Sequence, residues 1–77
     1  MSRLPRDISW EKAAQVFEKA GWQRLRVRHG HLHMGKHGEF VILSIPQHRK
    51  LAPGTLRSLL RKAHMSVDDF LRLLTSS

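Results

Sequence analysis

Residues 24–34 read RLRVRHGHLHM, with basic side chains alternating with aliphatic ones on both sides of a single glycine. A period of two is the period of a β-strand, so polar side chains share one face of each half and apolar side chains share the other. Arg24, Arg26 and Arg28 are therefore predicted to face solvent. The stretch predicts two short strands, at about residues 24–28 and 31–34, joined at the glycine.

The second half of this stretch carries the chemistry. Gly30 can adopt backbone angles closed to other residues and re-aims the chain, after which His31 and His33 share one face. Imidazoles beside guanidiniums suit a phosphodiester, because arginine binds phosphate through a planar fork and histidine exchanges protons near neutral pH. A basic strand with a few histidines also occurs as an ordinary solvated sheet face, so the stretch alone leaves both interpretations open.

The composition indicates one small domain, residues 1–77, without cysteine. A chain of this length buries only about 60% of its unfolded surface, and the missing cysteines leave no disulfide or thiolate zinc site to support it. No apolar run approaches the ~20 residues of a membrane span, and residues 1–7 lack the apolar core of a signal peptide. We therefore expect a soluble intracellular protein.

The charge is concentrated in the centre of the chain. Residues 24–62 contain nine basic residues and one acidic residue, Glu39, and so carry the whole net charge of +8, while the two ends balance. The basic residues are Arg24, Arg26, Arg28, Lys36, Arg49, Lys50, Arg57, Arg61 and Lys62. Such a field indicates a polyanion partner, which is nucleic acid or an acidic protein surface, and the two are compatible.

Three helices are predicted from caps and apolar stripes. Residues 10–20 lie between the N-cap Ser9 and Gly21, and their aromatic residues belong to the buried stripe rather than to a base-stacking surface. A second helix starts at Pro53, which suits the first turn. Its predicted buried stripe is Leu56, Leu59, Leu60 and Ala63. Ser66 and Asp69 resemble a capping box before a short last helix, residues 67–74. Its predicted buried residues are Val67, Phe70, Leu71 and Leu74.

The third strand is predicted over the apolar run 40–45, which Pro46 ends because it has no N–H to donate. This strand is expected to be the central or best-buried one, and residues 35–38 are expected to form a turn with glycines at positive φ at both ends. The element order is then α-β-β-β-α-α. It predicts an α+β fold with a three-stranded antiparallel sheet, two main helices on one face and a short C-terminal helix.

Several segments together resemble the HicA toxin family of toxin–antitoxin systems. They are LPRDIS at residues 4–9, EKAGW at 18–22, PQH at 46–48, PGTLRSLLRKA at 53–63 and SVDDFL at 66–71. The resemblance spans residues 3–74. It implies a double-stranded-RNA-binding-domain-like fold and an mRNA interferase, a cytoplasmic endoribonuclease that needs neither the ribosome nor a cofactor. It also implies a HicB-type antitoxin as partner and mRNA as substrate.

The resemblance further implies a catalytic histidine. The family carries it at the start of the second strand in a Gly-Ser-His pattern, and the matching residues here are His29, Gly30 and His31, so that His31 inherits the role. Because the glycine and serine differ, His29 and His33 remain alternatives. His64 is a second departure, since the family usually has glycine there. The expected RNA-binding residues are Arg26, Arg28, His29, His33, Arg57 and Lys62.

Three other interpretations follow from the residues. Imidazoles at alternate strand positions could share a zinc ion, but the only carboxylate near them is Glu39, and we predict no metal. The histidines concerned are His29, His31, His33, His37 and His48. Residues 56–74 could form a DNA-binding helix-turn-helix, although Asp68 and Asp69 would repel phosphate. A non-catalytic RNA- or DNA-binding module is the stronger alternative, because basic surfaces bind nucleic acid without any histidine.

Overall fold

The computed structural model describes residues 3–76; Met1, Ser2 and Ser77 lie outside that range. Six elements follow one another in the predicted α-β-β-β-α-α order. They are α1 (Trp10–Lys19), β1 (Gln23–Arg28), β2 (His31–Gly35), β3 (Leu43–Pro46), α2 (Pro53–Lys62) and α3 (Val67–Thr75). The strands form one antiparallel sheet in the order β1-β2-β3. The predicted α+β class is confirmed.

The first helix begins and ends as its caps predict. The Ser9 side chain accepts a hydrogen bond from the backbone N–H of Lys12. At the other end, Gly21 N–H donates to the carbonyl of Glu18 and Trp22 N–H donates to the carbonyl of Phe17. These two hydrogen bonds are those of a Schellman motif. Gly21 has φ of +100°, where a residue with a Cβ is strained.

We expect Gly21→Ala to lower the free energy of unfolding by about 1–2 kcal/mol, because alanine resists the left-handed region. Gly54→Ala is the matched control. Gly54 lies in the first turn of α2 without positive φ, and a Cβ there would meet nothing within 4 Å. Its replacement should raise stability by about 0.4–1 kcal/mol. Urea denaturation of both variants measures the difference; equal effects in the two would contradict this account of Gly21.

The core lies between the helices and one face of the sheet. Leu32 and Met34 of β2 and Leu43 and Ile45 of β3 are buried there. From the helices and loops come Leu4, Ile8, Ala13, Ala14, Val16, Phe17, Trp22, Leu51, Leu56, Leu59, Leu60 and Phe70. The apolar stripes of α1 and α2 are confirmed as core-facing, and with them the interpretation of Phe17 as a core residue. The helices thus leave the opposite face of the sheet open.

The last helix begins at Val67 as predicted and is nine residues long, ending at Thr75, one residue beyond the predicted end. Its capping box is present: Ser66 accepts from the N–H of Asp69, and Asp69 accepts from the N–H of Ser66. These hydrogen bonds to Ser66 hold the pKa of the Asp69 carboxyl below its ordinary value. Phe70 is buried as predicted, but Leu73 packs against the core in place of Leu71.

The third strand is shorter than predicted and lies at the edge of the sheet. β2 is the central strand, because it pairs with both β1 and β3. The apolar residues 40–42 precede β3 and are exposed. Leu43 pairs with Met34, so the ladder between β2 and β3 ends one residue before Gly35, and residues 40–42 find no partner strand there. Hydrophobicity predicted the strand, but its pairing with β2 reaches only to Leu43.

The turn after β2 also differs from the prediction. Gly35 is the last residue of β2 and does not have positive φ, whereas Gly38 has φ of +87°. A Cβ on Gly35 would approach Leu25 Cδ1 to 3.0 Å and Ile42 Cδ1 to 3.4 Å. The absence of a side chain at Gly35 therefore leaves space for the two aliphatic side chains that lie over its backbone.

Candidate functional site

A two-residue turn presents His31 at the start of β2. His29 and Gly30 both have positive φ, 52° and 71°, as the central residues of a tight hairpin with type I′ geometry do. The predicted role of Gly30 in redirecting the chain is confirmed. Gly30 also accepts a hydrogen bond from the N–H of Gln47, at 2.8 Å, which ties the turn to the end of β3.

The ring of His31 is oriented by this turn. Its Nδ1 lies 3.0 Å from the carbonyl oxygen of His29. A carbonyl oxygen only accepts hydrogen bonds, so Nδ1 carries the proton and donates it. In the neutral ring the lone pair is then on Nε2. His31 is thus held in the tautomer that can accept a proton at Nε2.

Basic side chains share the open face of the sheet with His31. Residues paired across antiparallel strands project to the same face. Arg28 pairs with His31, and Arg26 pairs with His33. Because Leu32 and Met34 point into the core, this set of four lies on the opposite, open face. The predicted neighbourhood of imidazoles and guanidiniums is confirmed for these residues.

Arg24 does not belong to that face, contrary to the prediction that the three arginines of β1 would project together. The pairing of β1 with β2 shifts between Arg24 and Arg26, and the extra residue of such a bulge reverses the alternation. Arg24 is paired with the core residue Met34 and forms an ion pair with Glu18 of α1, with Nε 3.2 Å from Oε2. The bulge therefore takes one cation away from the open face.

A groove of about 480 Å³ lies beside His31, between the β2–β3 end of the sheet and α2. Its polar lining consists of His31, Ser44, Thr55, Ser58 and Lys62. On α2, Ser58 and Lys62 are four residues apart and so project to one side of the helix. The groove combines one imidazole, one ammonium group and three hydroxyl groups.

The sequence analysis missed the three hydroxyl residues of the groove. Ser44 pairs with His33 across the sheet and so belongs to the open face. Thr55 and Ser58 lie on α2, for which the sequence analysis predicted only the buried stripe and the basic residues. The spacing of Ser58 and Lys62 indicates that they share one side of the helix. Only the tertiary structure shows that this side faces the sheet edge with His31 and Ser44.

The remaining predicted RNA-binding residues occupy different places. Lys62 lines the groove together with His31. Arg57 lies on another side of α2 and lines a separate recess with Arg3 and Arg6. His29 is an exposed turn residue whose carbonyl, not its ring, contacts His31. The structure thus gathers most, but not all, of the predicted site along one side of the molecule.

The groove is electrostatically uncompensated. Within residues 3–76, ion pairs join Arg24 to Glu18 and Arg72 to Asp69, and the imidazole of His64 lies 3.6 Å from the carboxylate of Glu39. None of these carboxylates lines the groove, and Lys62 forms no ion pair with the carboxylates of that range. Nor does any cluster of three histidine and carboxylate side chains suited to a metal ion occur in the described part of the chain. The site offers positive charge and proton-transfer groups to an anion.

The family comparison agrees with this geometry. The model of the family described as "HicA toxin of bacterial toxin-antitoxin" matches residues 10–65, well over half of the chain. The chain belongs to the HicA toxin family. The match contains the β1–β2 turn with His31 and the groove residues of α2. This HicA-family chain is thus the toxin component of a toxin–antitoxin pair, and membership implies an antitoxin partner. A search of curated proteins found no match.

His64 follows α2 in the left-handed conformation that glycine favours. It has φ of 56°, and its N–H donates to Arg61 while the N–H of Met65 donates to Leu60. The Schellman motif is thus kept without glycine. The imidazole Nε2 lies 3.6 Å from Glu39 Oε1, which links the end of α2 to the turn after β2.

This HicA-family chain also exposes an apolar patch next to the basic face. Leu25 and Ile42 both lie over the backbone of Gly35, and Phe40, two residues before Ile42 in the chain, is fully exposed. Grouped exposed apolar side chains mark protein interaction sites. Among residues 3–76, no helix has the length and hydrophobicity needed to cross a membrane.

Proposed function

We propose that this HicA-family toxin is an mRNA interferase, an endoribonuclease that cleaves mRNA without the ribosome and uses His31 as its catalytic histidine. The observation that carries the proposal is the hydrogen bond from His31 Nδ1 to the carbonyl of His29, at 3.0 Å. It leaves Nε2 as the proton acceptor of a side chain that lines a cationic groove. Because the proposed substrate is mRNA, the proposed place of action is the cytoplasm.

The groove supports a cleavage in which the RNA supplies its own nucleophile. Nε2 of His31 takes the proton of a ribose 2′-hydroxyl, the 2′-oxygen forms a bond to the adjacent phosphorus, and the bond from phosphorus to the 5′-oxygen breaks. The leaving 5′-oxygen takes a proton from water. Lys62 and the hydroxyl groups of Thr55 and Ser58 stabilise the negative charge on the phosphoryl oxygens. The products are a 2′,3′-cyclic phosphate and a 5′-hydroxyl.

The RNA strand is held through its phosphates. Arg26 and Arg28 beside His31, with Lys62 across the groove, supply charge without reading bases, so binding should depend on salt more than on sequence. His33 is a fourth, partly exposed neighbour on the same face.

The proposed antitoxin is a HicB-type protein that covers this basic face. An acidic surface would complement the charge, and the exposed side chains of Leu25, Ile42 and Phe40 add apolar area. The antitoxin and RNA are then mutually exclusive. Phe40→Ser should weaken the toxin–antitoxin complex while RNA cleavage by the toxin alone is kept.

The test is to express the chain alone and together with its genomic neighbour while following growth and total mRNA. We expect growth arrest with mRNA loss, reversed by the neighbour. With purified toxin, cleaved RNA should carry cyclic phosphate ends, and a substrate with a 2′-deoxyribose at the cut should resist cleavage. RNA binding without any cut would instead indicate the non-catalytic module, and simultaneous binding of RNA and antitoxin would contradict inhibition by covering.

A further inference from the structure

Three arginines converge on a second recess, distinct from the groove of His31. Arg3, Arg6 and Arg57 line it, together with Leu4 and Pro53, and its volume is about 260 Å³. Arg3 and Arg6 lie outside both the family match, residues 10–65, and the segment that carries the net charge. We refer to this site as the arginine recess.

The segment that carries Arg3 and Arg6 is anchored. Leu4 and Ile8 are buried, with 8% and 6% of their surface exposed. The carbonyl of Ile8 accepts a hydrogen bond of 2.7 Å from the N–H of Leu51, and Trp10 N–H donates to His48 at 3.1 Å. The two arginines therefore extend from a stretch of backbone fixed to the core beside the start of α2.

The arginine recess lacks an internal counter-charge. None of its three arginines takes part in the ion pairs found within residues 3–76, and its lining contains no carboxylate. Guanidinium groups gathered without an acid repel one another, and an anion in the recess would remove that repulsion. The planar fork of arginine fits phosphate oxygens in pairs.

The recess and the groove share the first turns of α2. Pro53 and Arg57 are four residues apart along one side of the helix, and the groove residues Gly54 and Ser58 follow them by one position each, about 100° further round. A polyanionic strand lying in the groove can therefore continue over the start of α2 into the recess. This continuity favours a nucleic acid strand over an isolated anion.

We propose that the arginine recess binds a backbone phosphate of the RNA strand whose scissile bond lies in the groove of His31. This inference rests on the proposed function and adds a subsite to it. The recess holds the RNA strand at a phosphate away from the cut. It therefore contributes to the affinity for long RNA and not to the affinity for fragments that only fill the groove.

The experiment measures binding of single-stranded RNA to the full chain carrying His31→Ala, so that no cleavage interferes. Two oligonucleotides are compared, of about 4 and about 12 nucleotides, the range of sites on single-strand-binding domains. The variant Arg3→Gln with Arg6→Gln is expected to bind the long RNA about tenfold more weakly, with a salt dependence flatter by about 0.7 per lost contact. Binding of the short RNA should not change.

The matched control is Lys12→Gln with Arg72→Gln, which removes the same charge from exposed positions away from the recess and should change long-RNA affinity much less. Arg57→Gln tests the recess from α2 and should reproduce the loss if the double variant folds poorly by circular dichroism. Equal affinities of the test and control variants would overturn the proposal. So would a loss of antitoxin binding with RNA binding kept, which would assign the recess to the protein partner.

The two proposals fail in different ways. If the unsubstituted chain cuts no RNA but the length-dependent loss is found, the arginine recess stands as a binding site and the ribonuclease proposal fails. If RNA is cut and the arginine variants bind long RNA normally, the ribonuclease proposal stands and the proposal for the arginine recess fails.

Discussion

Replacing His31 by alanine should lower the rate of RNA cleavage by about 10²–10⁴-fold, the usual contribution of a general acid–base group. The reason is geometric: the turn carbonyl of His29 holds Nδ1 as a donor, and the ring lines the cationic groove. Single-turnover cleavage of a labelled RNA at saturating toxin measures the chemical step apart from binding. Expression of this variant alone should no longer arrest growth.

Two neighbouring histidines provide the controls. His29→Asn keeps the backbone carbonyl that orients His31, and asparagine tolerates the positive φ of 52° found at this position, so cleavage should continue. His33→Ala removes a ring on the same face that does not line the groove and should mainly weaken binding. If His31→Ala cleaves at the original rate while His33→Ala does not, the catalytic residue has been assigned to the wrong strand position.

Replacing Phe70 by alanine should cost about 3–5 kcal/mol of the free energy of unfolding, as truncation of a fully buried phenylalanine does. Phe70 has no exposed surface, and its ring centroid lies 6.2 Å from that of Phe17 at an interplanar angle of 56°. It is the anchor of α3, which Lys19 also holds through hydrogen bonds to the carbonyls of Leu73 and Ser76. The total free energy of unfolding of a native protein is only about 5–15 kcal/mol, so this loss is a large part of it.

Phe40→Ala is the matched control for this loss, because the same side chain is removed from a fully exposed position. Its effect should stay within about 0.5 kcal/mol. Thermal unfolding followed by circular dichroism separates the two, since each kcal/mol shifts the midpoint by roughly 4–8 °C in a domain of this size. A cost below 1 kcal/mol for Phe70→Ala would show that α3 does not depend on its contact with α1.

Features that depend on neighbours in the chain were predictable from the sequence. The caps Ser9 and Ser66, the glycine at the end of α1, and the apolar stripes of α1 and α2 each follow from interactions within a few residues. The same holds for the alternation after Gly30, which places His31 and His33 on one face. These local rules were sufficient for the element order, whereas the choice of His31 as the catalytic candidate came from the resemblance to the HicA family.

The extent of the sheet was decided only in three dimensions. Hydrophobicity alone extended the third strand from Phe40, but a strand residue needs a partner, and the ladder of β2 begins its pairing with β3 at Met34 and Leu43. The bulge that removes Arg24 from the open face likewise depends on pairing with β2 and on Glu18 of α1. The alternation of residues within β1 cannot reveal a bulge, because a bulge is defined by how β1 pairs with β2.

The groove of His31 and the arginine recess could be recognised only in the tertiary structure. Ser44, Thr55, Ser58 and Lys62 are separated along the chain from His31 and meet it only where α2 packs beside the sheet. In the sequence, Arg3 and Arg6 belong to terminal segments in which basic and acidic residues balance. In the structure, Leu4 and Ile8 are buried, and Arg3 and Arg6 line one recess with Arg57. The sequence by itself supplied the imidazole, ammonium, guanidinium and hydroxyl groups of the groove and the arginine recess, and the long-range packing of the core decided which of them meet.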